Sequence, residues 1–359
     1  MKKLVLLALL GLFSAMPALA EPVTIRIGFA GIGLGNRSNV GGDTGALVHA
    51  EQYLEKEFAD TPDVKVEWFF FKGAGPAVNE AIASRQLDFA VEGDLPSLIG
   101  RANGLKTRIL LGSGTRNNLY LVAPPDSPIA SVKDVKGRKV AQFRGTSTHL
   151  TTERVIAANG LGDGDIRFVN MDDATALAAL AAREVDAAFG KAVFLNAVDR
   201  GLAKIVFTTK GDPTSVTSSH LLVTEAFETR YPAVTARVVK AFVRAADWAS
   251  TEANREALFD IWARSGTPAA LYRADFDGQS LAYRNSPLID DLLVDGYRYK
   301  AEQVKSFGLA RGAIDLDGWF EPRHLAQALK ELGLEGRWAR YGADGQPIGP
   351  EVVRKASTQ

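Results

Sequence analysis

The sequence predicts an α/β protein of two similar lobes, the second inserted into the first, with helices at the C-terminal end. Three observations carry this. Short β-branched apolar runs alternate with helical patterns from Val23 to Val223, which is how a largely parallel sheet covered by helices reads. The alternation restarts at Leu119 after a first complete set. Beyond Val223 the pattern is mostly helical.

In order, Val23–Phe29 reads as an alternating strand, followed by a glycine-rich loop over Gly31–Gly45. A helix through Gly45–Phe58 places Leu47, Ala50, Tyr53, Leu54 and Phe58 on its apolar side. Strand Val64–Phe71, helix Gly75–Ser84, strand Leu87–Val91, helix Leu95–Asn103 and strand Lys106–Leu111 complete the first set. The second set runs through strand Leu119–Ala123, a helical turn at Val132–Val135, strand Lys139–Phe143 and helix Ser147–Asn159. Strand Ile166–Val169, the Ala-rich helix Asp173–Arg183, strand Asp186–Phe189 and strand Lys204–Thr208 follow. Ser218–Val223 carries the chain back, and helices follow at Pro232–Glu252, Asn254–Arg264, Pro268–Ala274, Leu288–Phe307 and Pro322–Leu332. Segments near Gly112–Leu119 and Gly211–Leu222 cross between lobes and serve as a hinge. The divisions expected are 1–20, then 21–115 with 220–359 as the first lobe, and 116–219 as the second.

Met1-Lys2-Lys3, the apolar run Leu4–Leu12 and the small residues of Ala18-Leu19-Ala20 form a secretory signal peptide cleaved before Glu21. That apolar run is too short to span a bilayer, so the mature chain is expected to be exported and not embedded in a membrane. With no cysteine, thiolate catalysis, zinc–thiolate sites and a lipid-bearing cysteine are excluded, which favours a free periplasmic protein. The 42 basic and 42 acidic residues balance, and no basic tail or basic–aromatic patch marks a nucleic-acid partner. The Arg354–Gln359 end reads as frayed and polar.

The informative positions lie just after strands, because ligands in open parallel sheets sit outside the strands' carboxyl ends. Four connections qualify: Lys72–Gly75, Glu92-Gly93-Asp94, Gly145-Thr146-Ser147-Thr148-His149, and Gly190-Lys191. The third combines a glycine and three hydroxyls at a helix start. It reads either as an ordinary N-cap or as an anion cradle of unpaired N–H groups at the positive end of a helix. Gly31, Gly33 and Gly35 do not match the dinucleotide pattern, since position 36 is Asn, and read as a ligand loop or a flexible turn. Catalysis and metal binding get no support: the four histidines are dispersed, no G-x-S-x-G occurs, and Asp163 and Asp165 lack calcium-loop spacing. No cofactor is expected. Asp172-Asp173 reads as the cap of the Ala-rich helix.

Val66-Glu67-Trp68 leading to Phe71-Lys72-Gly73, Asn79-Glu80-Ala81, Gln86-Leu87-Asp88-Phe89 and Glu92-Gly93-Asp94-Leu95-Pro96 occur in that order. Val135–Ala141, Arg144–His149 and Glu184-Val185-Asp186-Ala187 follow. Together they make the chain, from about Val23 to Leu332, resemble the exported solute-binding proteins of ABC importers for aliphatic sulfonates, taurine and nitrate. The resemblance implies a type II periplasmic binding fold that closes on a small organosulfur anion (an alkanesulfonate, taurine or a sulfate ester) and delivers it, as a monomer, to a membrane permease driven by an ATPase. It also implies ligand contacts from Glu92, Gly93 and Asp94, from Gly145, Thr146, Ser147 and Thr148, and from Phe189. Gly31 and Gly33 of the long first loop complete the expected set. Relatives carry Trp-Asp-Pro where Gly190-Lys191-Ala192 stands here, which leaves room for a bulkier organic group against Phe189. Hydroxyl and N–H donors of Thr146–Thr148 would hold a sulfonate, with Arg116, Arg144 and Lys191 adding potential and His149 packed structurally. The resemblance leaves open nitrate or another small nutrient as ligand. It also leaves open a periplasmic sensor partner, and an enzyme related to the pyrimidine-synthesising proteins of thiamine biosynthesis.

Overall fold

The computed structural model describes residues 22–348 except 32, 35, 36, 39 and 40, with 33–34 and 37–38 described by their backbone. The expected signal peptide and the Arg354–Gln359 end lie outside the described residues.

The described strands form two five-stranded sheets and two small hairpins. In the first lobe, β1 (Val23–Phe29) is followed by the hairpin β2–β3 (Gly33–Leu34, Arg37–Ser38), then β4 (Val64–Phe70), β5 (Phe89–Gly93) and β6 (Thr107–Gly112). The second lobe is built on β7 (Tyr120–Ala123), β8 (Lys139–Gln142), β9 (Arg167–Asn170), β10 (Ala187–Gly190) and β11 (Lys204–Thr208). The chain then returns as β12 (Ser219–Thr224), which inserts antiparallel between β5 and β6 in the order β4-β1-β5-β12-β6. The second sheet, β11-β7-β10-β8-β9, likewise carries one reversed strand, β7. Two α/β lobes are thus present as expected, and the returning strand ties the second lobe to the first sheet twice.

Strand alternation gives each sheet two apolar faces. Ile25, Ile27, Phe29 and Val91 face one way, with Leu47 of α1 (Thr44–Ala50), Leu54 of α2 (Tyr53–Glu57) and Phe58 just after it. Ala90, Ile109 and Leu222 face the other, with Val78 of α3 (Ala74–Ala83) and Leu98 of α4 (Asp94–Ala102). The single helix expected over Gly45–Phe58 is broken at Gln52, which adopts a left-handed φ of 55°. No glycine or proline announces that break; it lets Leu54 and Phe58 join Leu47 in one core. In the second lobe, α5 (Ser147–Ala158) covers one face with Val155 and Ile156, and α6 (Asp173–Ala181) covers the other with Ala176 and Leu180. The short α7 (Leu195–Asp199) follows β10.

The C-terminal part is helical: α8 (Glu225–Arg230), α9 (Pro232–Ala249), α10 (Arg255–Ala263), α11 (Ala269–Phe276), α12 (Leu281–Arg284), α13 (Asp291–Ser306) and α14 (Arg323–Glu331). Thr224 caps α8 through Phe227 N–H, and Pro232 starts α9 at a position where its missing N–H is harmless. Helix α11 belongs to the first lobe by sequence, yet its Leu271 is buried in the second lobe's core beside Phe194 and Leu195.

Residues 113–119 and 209–218 connect the lobes. Asn117 and Thr217 exchange both backbone hydrogen bonds at 3.0 Å, Ser218 Oγ donates to Thr115 O at 2.8 Å, and Ser219 Oγ to Ser113 O at 2.9 Å. Gly114 turns the crossing at a φ of +112°, which a side chain would strain.

Candidate functional site

A cleft of about 410 Å³ opens where the carboxyl ends of the two sheets face each other. The first lobe contributes Gly31 after β1, Lys72 and Gly75 at the start of α3, and Glu92 and Gly93 at the end of β5. The second contributes Phe143 and Thr146–Thr148 after β8, Asp172–Ala174 after β9, and Lys191–Val193 after β10. Asn117, Asn118 and Thr217–Ser219 form the hinge side, and Tyr272 of α11 reaches in from the C-terminal part.

Of the residues expected at the site, Gly31, Glu92, Gly93, Thr146, Ser147 and Thr148 line the cleft. Gly145 turns the chain into the cradle at a φ of +78°, its N–H donating to His149 Nδ1 at 3.2 Å, and does not itself line the cavity. Gly33 lies in the partly described stretch 32–40, outside the residues whose surroundings are described.

Two placements correct the expectation. Phe189 is 1% exposed and packs into the second lobe's core with Val140 and Ile156, because strand alternation on β10 turns it under α5. The aromatic rings at the cleft are Phe29, Phe143 and Tyr272 instead. Asp94 lies beneath the cleft wall with its oxygens already engaged. Oδ1 accepts from Leu95 N–H at 2.8 Å, and Oδ2 accepts from Ser218 N–H at 3.1 Å and from the Lys300 ammonium. Burial alone would push Asp94 up; the Lys300 charge reverses this and holds the carboxyl below its ordinary range.

The basic residues also separate. Arg116 is buried, pairs with Asp290 at 2.8 Å and lies between the rings of Tyr283 and Tyr341, which makes it a structural residue away from the cleft. Arg144 pairs with Asp163 at 2.6 Å on the surface. Lys191 does reach the cleft, and with Lys72 supplies its positive potential. His149 is buried, with Nε2 3.4 Å from Glu153.

The cradle differs in kind from the one expected. Thr146 Oγ1 lies 2.7 Å from Phe143 O and 2.6 Å from Thr148 Oγ1. The carbonyl can only accept, so Thr146 donates to it and Thr148 donates to Thr146. Ser147 lies toward Asp94 and helps hold that carboxyl down. The Thr146 and Thr148 hydroxyl protons are therefore spent internally. What remains for a ligand, among the described residues, is the set of Thr146, Ser147 and Thr148 backbone N–H groups at the start of α5, for which no acceptor occurs.

Acidic groups missed by sequence reasoning also reach the cleft. Asp43 caps α1, accepting from Ala46 N–H at 2.8 Å; burial pushes it up to about 6 against the pull of that bond and of Lys191. Asp173 is pushed up to about 6 by burial, again opposed by Lys191. Asp275 is neutralised by Arg284 at 2.8 Å and accepts from Tyr120 O–H at 2.7 Å, a bond that joins the lobes. Among the described residues no group of three or more His, Asp or Glu side chains is placed to hold a metal, and no helix is long and apolar enough to cross a membrane.

The lobes touch where Gly93 meets Ser147: a methyl group on Gly93 would stand 2.0 Å from Ser147 Oγ and 3.2 Å from its Cβ. Gly93 has an ordinary extended φ of −88°, so Gly93→Val fits β5 but not the opposing lobe. The variant is expected to fold with near-parental stability and to hold its lobes apart, which small-angle scattering reads as a larger radius of gyration.

Residues 60–255 match the family model described as NMT1/THI5 like. The chain belongs to the NMT1/THI5-like family. An Escherichia coli (strain K12) protein named for binding aliphatic sulfonates is 32% identical over 194 residues. That match spans 52% of this chain and only 56% of the relative's length. A solved structure from Methylobacillus flagellatus KT is described as the periplasmic sulfonate-binding protein SsuA of a sulfonate ABC transporter. It is 30% identical, covers 90% of this chain and 98% of its own, and has a TM-score of 0.78. The desulfurization enzyme DSZB shares the fold at 17% identity, with 86% and 99% coverage and a TM-score of 0.65. The family and the two sulfonate-binding relatives agree with the resemblance drawn from the motifs at the strand ends.

Proposed function

We propose that this protein is the exported, periplasmic solute-binding component of an ABC importer. It captures a small organosulfur anion in the cleft and hands it, with the lobes closed, to a permease and its ATPase. The observation that carries the reading is the start of α5, whose first residues line the cleft and whose backbone N–H groups, at the positive helix end, have no acceptor among the described residues. Sulfonate oxygens suit these donors because they are permanently charged acceptors, and charge-assisted bonds are about twice as strong as neutral ones. Lys72 and Lys191 add attraction at the rim, while Phe29, Phe143 and Tyr272 give the organic part an apolar wall. The sulfonate-binding relatives support the same ligand class. A cleft that traps the anion between two lobes couples occupancy to a closed shape that a membrane partner can recognise.

Ser147→Pro tests the cradle. Thr146 is extended (φ −108°, ψ 171°), as a residue before proline must be, and proline is tolerated at the first helical position. The substitution therefore deletes one N–H donor with little harm to the helix. Ethanesulfonate at about a hundred times its Kd should stabilise the parent by about 2.7 kcal/mol in thermal unfolding. Ser147→Pro should lose most of that shift, and Ser147→Ala, which keeps the N–H, should retain it. Equal shifts in all three would remove the cradle from the site.

A further inference from the structure

Ser97 on α4 lies behind the cleft wall with three polar neighbours and one proton to give. Its Oγ is 2.8 Å from Gly93 O, 2.9 Å from His220 Nε2 and 3.2 Å from Glu92 Oε2. The Gly93 carbonyl can only accept, so it takes the serine proton. The two lone pairs of Oγ then face His220 and Glu92, and each of these has to bring a proton of its own. His220 is accordingly the Nε2–H tautomer, leaving Nδ1 to accept from the Tyr297 hydroxyl, its other neighbour. Glu92 is accordingly a neutral acid whose O–H, on Oε2, donates to Ser97.

The surroundings agree. Glu92 is 1% exposed and His220 fully buried. Burial pushes the glutamic acid up to about 8 and the histidine down to about 3, so both are uncharged at pH 7. Around Glu92 stand Gly75 of α3, Pro96 and Ser97 of α4, and His220 of β12. The nearby charges, Asp94 and Lys300 of α13, are spent on each other. No ion-pair partner for Glu92 occurs among the described residues.

One atom is left over. Glu92 Oε1 is buried, has no hydrogen-bond partner and belongs to a residue lining the ligand cleft. It sits beside Gly75, where a methyl group would approach it to 3.1 Å. The next residue, Pro76, is the one a methyl group on Gly145 of the anion cradle would meet, at 3.1 Å. The lone acceptor and the cradle thus flank the same turn of chain. A buried acceptor without a donor is destabilising, and a ligand that supplies the donor is favoured over one that does not.

We infer that Glu92 Oε1, the carbonyl oxygen of a neutral acid, accepts a hydrogen bond from the ligand, so that the site selects sulfonates carrying an O–H or N–H donor on their organic part over plain alkyl sulfonates. This rests on the sulfonate reading of the cleft. A hydroxyl is the cleaner probe, because an ammonium would also be drawn to Asp43 and Asp173.

Calorimetric titration of ethanesulfonate and 2-hydroxyethanesulfonate into the parent, Glu92→Gln and Glu92→Met tests it. The parent should prefer the hydroxylated ligand about tenfold or more. Glu92→Gln should keep the preference, since its amide N–H replaces the O–H toward Ser97 and leaves the carbonyl free. Glu92→Met should bind both alike. A second measurement does not depend on the Met variant folding: above pH 8 the parent should lose affinity for both sulfonates as Glu92 ionises, and Glu92→Gln should not. Equal affinity for the two ligands in the parent, or a preference that survives Glu92→Met, overturns the inference while leaving the cradle standing. Binding of neither sulfonate overturns both.

Discussion

Replacing Lys300 with methionine should destabilise the protein by about 3–5 kcal/mol, the usual effect of leaving one member of a buried ion pair alone. Lys300 and Asp94 are 5% and 0% exposed at their side chains, and the ammonium also donates to Ser218 Oγ at 3.2 Å. Burial lowers the Lys300 ammonium's proton affinity, and Asp94 restores part of it. Without the ammonium, the fully buried Asp94 carboxylate keeps only its N–H donors. The double change Asp94→Asn with Lys300→Met removes both charges and should recover most of the loss. Urea unfolding of the two variants distinguishes a buried unpaired charge from simple loss of packing, because loss of packing would leave the double variant as unstable as the single one.

Stability should also fall by about 1 kcal/mol between pH 6.5 and 8 in the parent and not in Glu92→Gln, at about 1.36 kcal/mol per pH unit for a fully titrating group. The sign follows from two buried neutral groups. Glu92 rises from 4.5 to about 8 on folding, so between those values the folded chain holds a proton the unfolded chain has released, and stability drops as pH climbs. His220 falls from 6.5 to about 3, so between those values the unfolded chain holds the extra proton, and stability rises with pH. The two slopes oppose each other from 4.5 to 6.5, where Asp43 and Asp173, both raised to about 6, act in the same direction as Glu92; above 6.5 the slope of Glu92 dominates. Denaturant unfolding at pH 6.5 and 8 reads the difference, and parallel curves for parent and variant would mean that Glu92 is ionised in the fold.

Most strands were legible because β-branched runs with polar ends have little other use, and Val23–Phe29 and Lys204–Thr208 have the expected bounds. The break at Gln52 was not legible, since nothing local demands it and tertiary packing decides it. The same division holds at the site. The rule that ligands meet strand ends found Glu92, Gly93 and Thr146–Thr148, and it applied equally to Asp172-Asp173, which reads locally as a helix cap. Asp43 was hidden in the same way: a capping role accounts for it in sequence, while its approach to the cleft is set by the facing lobe. Phe189 shows the converse. The family resemblance suggested a ligand contact there, but period-two alternation assigns that side chain to the core. Tyr272 carries no local signal, because α11 reaches the cleft only by docking on the other lobe.

Sulfonate capture by the backbone at the start of α5 is tested most directly by titrating the ¹⁵N-labelled protein with ethanesulfonate and following its amide resonances. The Ser147 and Thr148 amides should show the largest saturable shifts, and Ser147→Pro should abolish saturation at the same ligand concentrations. Saturable binding that leaves those two amides unmoved, or no binding at all, would contradict the account.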